Sequence, residues 1–291
     1  GGKKMMKKLL LGSLLVSSAA LAVGPEAAVT SSAAVSSNEV GTGKYFYIAQ
    51  NYQELAAVPG FTMSAPAGLV PGKGVVFAGI GGLHTNGKKG NDTDGSMAVG
   101  FGYGNPYETV GGAVSLSLGS INPDDGGAFN RGSLNLSLGH NFSQYGLGVA
   151  VGVNTIDLWH DNGKDEMDES YYTSVTKLLP NDVAPVVVTA GLGNNDFAKV
   201  NEDGDKKDHV YPFVSVAAYV MPQLSLIADY TSGVTTLGVG IVPSPKLPIT
   251  ITMGAYNVNK QTVDTGNDKV SFVGSLSASC LLYTSTSPRD M

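Results

Sequence analysis

Three stretches of this chain hold side chains that could do chemistry. Trp159-His160-Asp161 is followed by Asp165, Glu166, Asp168 and Glu169, which sets an imidazole beside carboxylates in the manner of a general base. His140-Asn141-Phe142-Ser143 brings a histidine near a hydroxyl, the raw elements of an activated nucleophile. Asn201-Glu202-Asp203-Gly204-Asp205 and the nearby Asp208 collect hard oxygen ligands of the kind calcium takes, with Asp203, Asp205 and Asp208 as candidate ligands. None of the three is complete. A histidine-based hydrolase needs several carboxylates fixed from different elements, and the calcium loop lacks the D-x-D-x-D-G spacing and its closing Glu. His84 and His209 are single loop residues and read as solvated. The expectation is therefore a protein without a catalytic set, a resident metal or a cofactor.

The composition directs attention elsewhere. The chain has 291 residues, a formal net charge of -6, 42% hydrophobic residues and only 14% charged residues, where about 25% charged is usual for soluble domains. It holds 39 glycines, which argues against long helices because each costs about 1 kcal/mol relative to alanine there. Past the N-terminus no run of about 20 apolar residues exists, so a membrane-spanning helix is not available. No basic stripe is present, which excludes nucleic acid as a partner.

Both ends read as material outside the fold. Residues 1–22 hold an upstream Gly1–Lys4, a start at Met5 or Met6, the basic Lys7 and Lys8, and an apolar run from Leu9 to about Val16. Ala20-Leu21-Ala22 then supplies an A-x-A cleavage site, completing a secretory signal peptide; Ser32-Ala33-Ala34 is a second place for the cut. In such an export context the sequon Asn91-Asp92-Thr93 carries little weight. At the other end, Cys280–Met291 resembles a translated sequencing-library adaptor and is expected to be non-native. Cys280 is the one cysteine, so thiolate, disulfide and redox chemistry have nothing to rest on.

Between the ends, residues 23–73 form a lead-in. Ala27–Ser37 is low-complexity Ala/Ser/Val, and Pro59, Pro66 and Pro71 exclude a regular element. This lead-in is either periplasmic or tucked into a lumen as a plug. From residue 74 to 279 the pattern turns to period two. Met97, Val99, Phe101 and Tyr103 share one face of their segment, and Ser96, Ala98, Gly100 and Gly102 the other. Leu134, Leu136 and Leu138 oppose Ser133, Asn135 and Ser137, and Leu224, Leu226, Ala228 and Tyr230 form another apolar row. Strict alternation of this kind is the strand signal. It predicts about 12 strands over 75–83, 95–103, 109–119, 132–141, 146–157, 170–178, 185–193, 210–220, 224–231, 235–243, 248–258 and 269–279. The sixth is the weakest, for it lacks a clear apolar face. Gly79–Gly82 falls inside the first strand, opens no helix, and so is no phosphate loop.

The second face of these strands decides the class. A soluble sandwich exposes a charged face to water. Here that face is Gly, Ser, Ala, Thr and Asn, with Asp229 among its few charges, and nearly all other charge lies between strands. An apolar face turned to lipid and a small polar face turned to a lumen define a membrane barrel, which must close because lipid offers an open edge no hydrogen bonds. Connections alternate long (84–94, 120–131, 158–169, 194–209, 259–268) and short, except at Ser232-Gly233-Val234. Aromatic residues such as Tyr103, Phe142, Tyr145, Trp159 and Tyr230 gather near strand ends. Over residues 74–279 the chain resembles the porin-like outer-membrane β-barrels of Gram-negative bacteria, in architecture and not in any family-specific motif. The fold expected is an all-β, antiparallel up-and-down transmembrane barrel of about 12 strands.

That resemblance implies an outer-membrane location, with lipid and lipopolysaccharide as surroundings. Barrels of this size include channels, a phospholipase and autotransporter translocators, and fold does not choose among them. His140 and Ser143 do not reproduce the phospholipase His-x-Ser spacing and fall at a short turn, the wrong end for that chemistry. The function expected is a passive channel for small hydrophilic solutes, with Ser96, Ser115, Ser117, Asn135, Asn154 and Asp229 as pore-lining candidates. The alternative is a structural or surface-interaction barrel with a plugged lumen and acidic extracellular loops. The oligomeric state is not legible.

Overall fold

Twelve strands form, each where the alternation places one. In this computed structural model they are β1 (Val75–Gly87), β2 (Gly90–Gly104), β3 (Gly111–Gly119), β4 (Arg131–Phe142), β5 (Leu147–His160), β6 (Ser170–Leu179), β7 (Val186–Gly193), β8 (Tyr211–Met221), β9 (Leu224–Thr231), β10 (Val234–Ile241), β11 (Ile249–Tyr256) and β12 (Ser271–Leu281). The structure describes residues 57–87, 90–119, 129–160, 168–181, 183–198, 209–261 and 269–281. The signal peptide, the low-complexity stretch, residues 44–56 of the lead-in and residues 282–291 lie outside them, as do Asp161, Asp165, Glu166, Asp203, Asp205 and Asp208. Every strand pairs antiparallel with its neighbours in sequence, and β1 pairs β12 from Val75↔Leu281 to His84↔Phe272, which closes the barrel.

Burial runs in the sense a membrane requires. Along β9, Ser225, Ile227, Asp229 and Thr231 are buried while Leu226, Ala228 and Tyr230 are exposed. The same inversion places Ile80, Val99, Phe101, Val151, Val216, Leu237 and Leu276 on the outside. Ser96, Ser115, Ser117, Ser133, Asn135, Ser174, Ser215 and Thr250 face the lumen, buried. An outer surface built from Ile, Val, Leu and Phe would aggregate in water; in hydrocarbon it is the stable arrangement.

Three features depart from expectation. Within the expected long connection 84–94, residues 84–87 and 90–94 are strand: β1 and β2 stay paired to Gly87↔Gly90, with His84 Nδ1 and Thr93 Oγ1 2.7 Å apart across the ladder. Polar residues there carry the hairpin beyond the apolar belt, so period-two hydrophobicity vanishes although the strands do not. The short β9–β10 connection is a two-residue turn with Ser232 at φ 57° and Gly233 at φ 79°. Positive φ at both positions gives the type I′ geometry that matches strand twist, which explains why the alternation of loop lengths breaks here. Finally, β12 continues through Cys280 and Leu281, which pair with Val76 and Val75, two residues beyond the expected end of the barrel.

The weak sixth segment is a full strand. Its lumen face is Ser170, Tyr172, Ser174 and Thr176, and its outer face mixes Tyr171, Thr173 and Val175 with Lys177. Lys177 lies toward the short-turn end, where its ammonium donates to the Tyr145 carbonyl. β5 carries an irregularity opposite β4, between Leu134 and Leu136, at which Thr155 takes φ 59°.

The outer face yields a test. Leu237 is 49% exposed at the middle of β10. Leu237→Arg should cost about 2–4 kcal/mol in a bilayer, read as a lowered urea midpoint for unfolding from lipid vesicles, while Leu237→Phe should leave that midpoint in place. An unchanged midpoint for the arginine variant would remove β10 from contact with lipid.

Candidate functional site: the occupied lumen

Residues 57–73 make no strand or helix, as their prolines require. Such a segment has no ladder to satisfy its backbone, so its N–H and C=O groups must find partners elsewhere. They find them on the lumen face of the barrel. Thr250 Oγ1 donates to the Val58 carbonyl at 3.0 Å, the Tyr219 hydroxyl to Pro59 O at 3.2 Å, Ser225 Oγ to Gly60 O, and Ser215 Oγ to Phe61 O at 3.2 Å. On the far limb, Ser174 Oγ donates to Pro66 O at 2.6 Å and the Gly68 N–H to Thr176 Oγ1 at 2.8 Å. Asn141 closes the run by accepting from the Val70 N–H at 3.1 Å and donating to its carbonyl at 2.8 Å. Proline nitrogens carry no hydrogen, and at Pro59 and Pro66 the lumen accordingly engages the carbonyl.

These partners define the path. Thr250, Tyr219 and Ser225 stand near the short-turn ends of β11, β8 and β9, and Asn141 near the short-turn end of β4. Asp229 stands two residues from the other end of β9. The segment thus enters from the short-turn end, rises, bends at 63–65, and returns to the same end, where the Lys73 N–H donates to Gly104 O and β1 begins. At the bend one oxygen of Asp229 accepts the N–H groups of Met63, Ser64 and Ala65 at 3.1, 3.2 and 3.1 Å. Consecutive amides converging on one oxygen form an anion-binding nest. The other oxygen accepts from Thr231 Oγ1 at 2.9 Å, so both are engaged.

Apolar contacts fill what remains between segment and wall. Val58, Phe61, Met63 and Ala67 join Leu83, Val187, Ala217, Tyr219, Ile227 and Val273 of the barrel in one buried cluster. Lumen glycines let the two backbones touch. A Cβ on Gly148 would lie 2.7 Å from Gly68 O, and one on Gly240 would lie 2.5 Å from Gly60 N. At these positions the absence of a side chain admits a second piece of chain.

The six pore-lining candidates separate accordingly. Asp229 holds the bend. Ser115, Ser117 and Asn135 bond to one another instead: Asn135 Nδ2 donates to Ser117 Oγ at 2.6 Å and to Ser115 Oγ at 3.4 Å, while its oxygen accepts from the Thr155 N–H at 3.0 Å. Asn135 therefore braces the irregular stretch of β5. Ser96 and Asn154 are buried on the lumen face. Thr250, Tyr219, Ser225, Ser215, Ser174, Thr176 and Asn141 were not among the candidates. Alternation could place several of them on the inner face, but it could not say that a proline-rich lead-in supplies their partners.

The histidines are placed less suggestively. His160 Nδ1 lies 2.6 Å from Asp157 Oδ2 at the long-connection end of β5, a pairing with a residue other than Asp161. His140 Nδ1 donates to the Thr109 carbonyl, and its ring meets Phe142 edge-on at 4.4 Å, which orients it toward the neighbouring turn.

Comparison with known proteins finds similarity in solved structures alone. No family model matches it, and no curated protein does. Among solved structures it is similar to an outer membrane channel from Pseudomonas putida F1 (TM-score 0.44, 10% identity, covering 73% of this chain and 97% of that one). It is similar to outer membrane phospholipase A from Escherichia coli (0.42, 11%, 71% and 92%). The NanC porin gives 0.41 at 7% identity, over 70% of this chain and 98% of that one. Two of these proteins are a channel and a porin, and one is an enzyme. The likeness is one of architecture and assigns no activity.

Proposed function

We propose that the protein is an outer-membrane channel for small hydrophilic solutes whose lumen is closed at rest by its own residues 57–73. On this reading the long connections are extracellular and the short turns periplasmic, so the segment enters and leaves on the periplasmic side. Lipid and lipopolysaccharide surround the barrel. The observation that carries the reading is the convergence of three amides of the bend on Asp229, with lumen side chains bonded along both limbs. When the segment withdraws, Ser96, Ser115, Ser117, Asn135, Asn154 and Asp229 line the passage. Asp229, the one charge among them, then faces the solute instead of the segment.

Planar-bilayer conductance tests this. The full chain should give rare steps, and a protein beginning at Pro71 should give steady, discrete ones. Equal conductance from both would mean that the segment does not close the lumen. Silence from both, with heat-dependent gel mobility showing folded barrels, would favour a barrel that serves as an anchor.

Asp229→Ala supplies the counterpart in the full chain. It strips the acceptor from three N–H groups, those of Met63 and Ala65 buried and that of Ser64 partly so; a buried one costs about 1–3 kcal/mol when left bare, and not additively. Hydrogen exchange at Met63, Ser64 and Ala65 should accelerate by orders of magnitude while amides of the β1–β12 and β8–β9 ladders keep their protection. Equal protection in both proteins would show that the carboxylate does not hold the bend.

A further inference from the structure

We infer that the turn at residues 194–198, at the long-connection end, is a latch on the bend of the lumen segment, so that closure is controlled from the face opposite the one by which the segment enters. This rests on the reading of that segment as the closing element.

The observation is a second buried cluster, separate from the one along the limbs. Ala65 of the bend, Phe197 of the turn and Phe213 of β8 pack together, with Tyr172 and Tyr211 against them. Ala65 and Phe197 are both 0% exposed. The Phe197 ring lies 5.0 Å from that of Phe213 and 6.0 Å from that of Tyr172, within the distance range of interacting aromatic pairs. A phenylalanine in a connection at a barrel mouth would ordinarily face lipid or water. Here the chain turns it inward.

The inward turn is built from local chemistry. Asn195 takes φ 42°, a left-handed conformation that asparagine tolerates better than most residues, and begins a 3-10 turn over Asn195–Phe197. Gly193 makes room, for a Cβ there would lie 2.2 Å from the Phe197 ring. The surrounding strands hold the backbone of the turn. Ser170 Oγ donates to Asn194 O at 2.9 Å and accepts from the Asp196 N–H at 3.2 Å, and the Tyr171 N–H donates to Asn194 Oδ1 at 2.6 Å. Ser232 Oγ, from the type I′ turn, donates to Asp196 O at 2.6 Å. Thr231, adjacent to Ser232, is the side chain that bonds Asp229.

The bend is thus held from two directions: by Asp229 from the wall and by Phe197 from the mouth. Withdrawal toward the short-turn end must part Ala65 from Phe197. Lifting the turn outward must pull Phe197 from its seat and leave Ala65 uncovered. The two movements are therefore linked, and linkage is reciprocal: whatever favours the lifted turn favours the released segment, and the reverse.

The test uses the full chain in nanodiscs with Ser64→Cys as reporter and Cys280→Ser removing the background thiol. The rate of maleimide labelling at position 64 reads how often the bend comes free. Phe197→Ala should raise that rate by on the order of tenfold or more, and Phe197→Leu, which keeps most of the volume, should hold it near the parent value. Labelling of the folded Phe197→Ala protein at the parent rate overturns the latch. If in that case Asp229→Ala still accelerates labelling, the closed lumen stands without it. A parent already labelled as fast as a free thiol overturns both. Should Phe197→Ala fail to fold, Ser170→Ala combined with Ser232→Ala frees the backbone of the turn without touching the cluster. The same acceleration is then expected, and the parent rate again overturns the proposal.

Discussion

Hydrocarbon offers no hydrogen bonds, and the structure of this protein follows from that constraint. Each backbone N–H and C=O at membrane depth needs a partner within the chain. Strands meet this demand only when the last pairs with the first, as β12 does with β1. Closure then fixes the assignment of faces. Rows such as Leu226, Ala228 and Tyr230 must point outward, and rows such as Ser225, Asp229 and Thr231 inward.

The same requirement recurs inside the barrel. Residues 57–73 cannot join the ladder, because Pro59, Pro66 and Pro71 each lack an N–H. The lumen answers with side chains where a sheet would answer with backbone. Hydroxyls of Ser174, Ser215, Ser225, Tyr219 and Thr250 supply donors for carbonyls, and Asp229, Thr176 and Asn141 supply acceptors for amides. Almost all of this recognition is of main chain. The inner face of Ser, Thr, Asn and Gly is thereby both a lumen lining and a receptor for an extended peptide segment, with Ile227, Val187 and Val273 closing the gaps.

Two kinds of contact hold the bend, and they differ in physical character. The bonds to Asp229 are directional and would exchange readily for water if water reached them. Ala65 itself is fully buried in one cluster with Phe197 and Phe213. Polar bonds set where the bend sits, and the apolar cluster beside them lowers the polarity in which they operate.

The sequence by itself determined the barrel. Alternation marked the strands because an outer face turned to lipid must be largely apolar, a demand strong enough to be read without a structure; it was faintest in β6, whose outer face mixes Tyr171, Thr173 and Val175 with Lys177. It also placed Asp229 on the inner face and, through Pro59, Pro66 and Pro71, excluded a regular element over residues 57–73. It missed the paired residues 84–87 and 90–94, where the periodic hydrophobic signal ends although the ladder does not. It did not determine what the lumen holds. Small inner residues are equally compatible with water and with a second backbone, and the notion of a wet channel lined by Ser115, Ser117 and Asn135 used only local information. Tertiary structure decided that Asp229 meets residues more than 160 positions away, that Asn135 serves β5, and that Phe197 turns inward. Contacts between a lead-in and several separate strands depend on how the closed wall shapes its interior, and no periodicity along the chain encodes that shape.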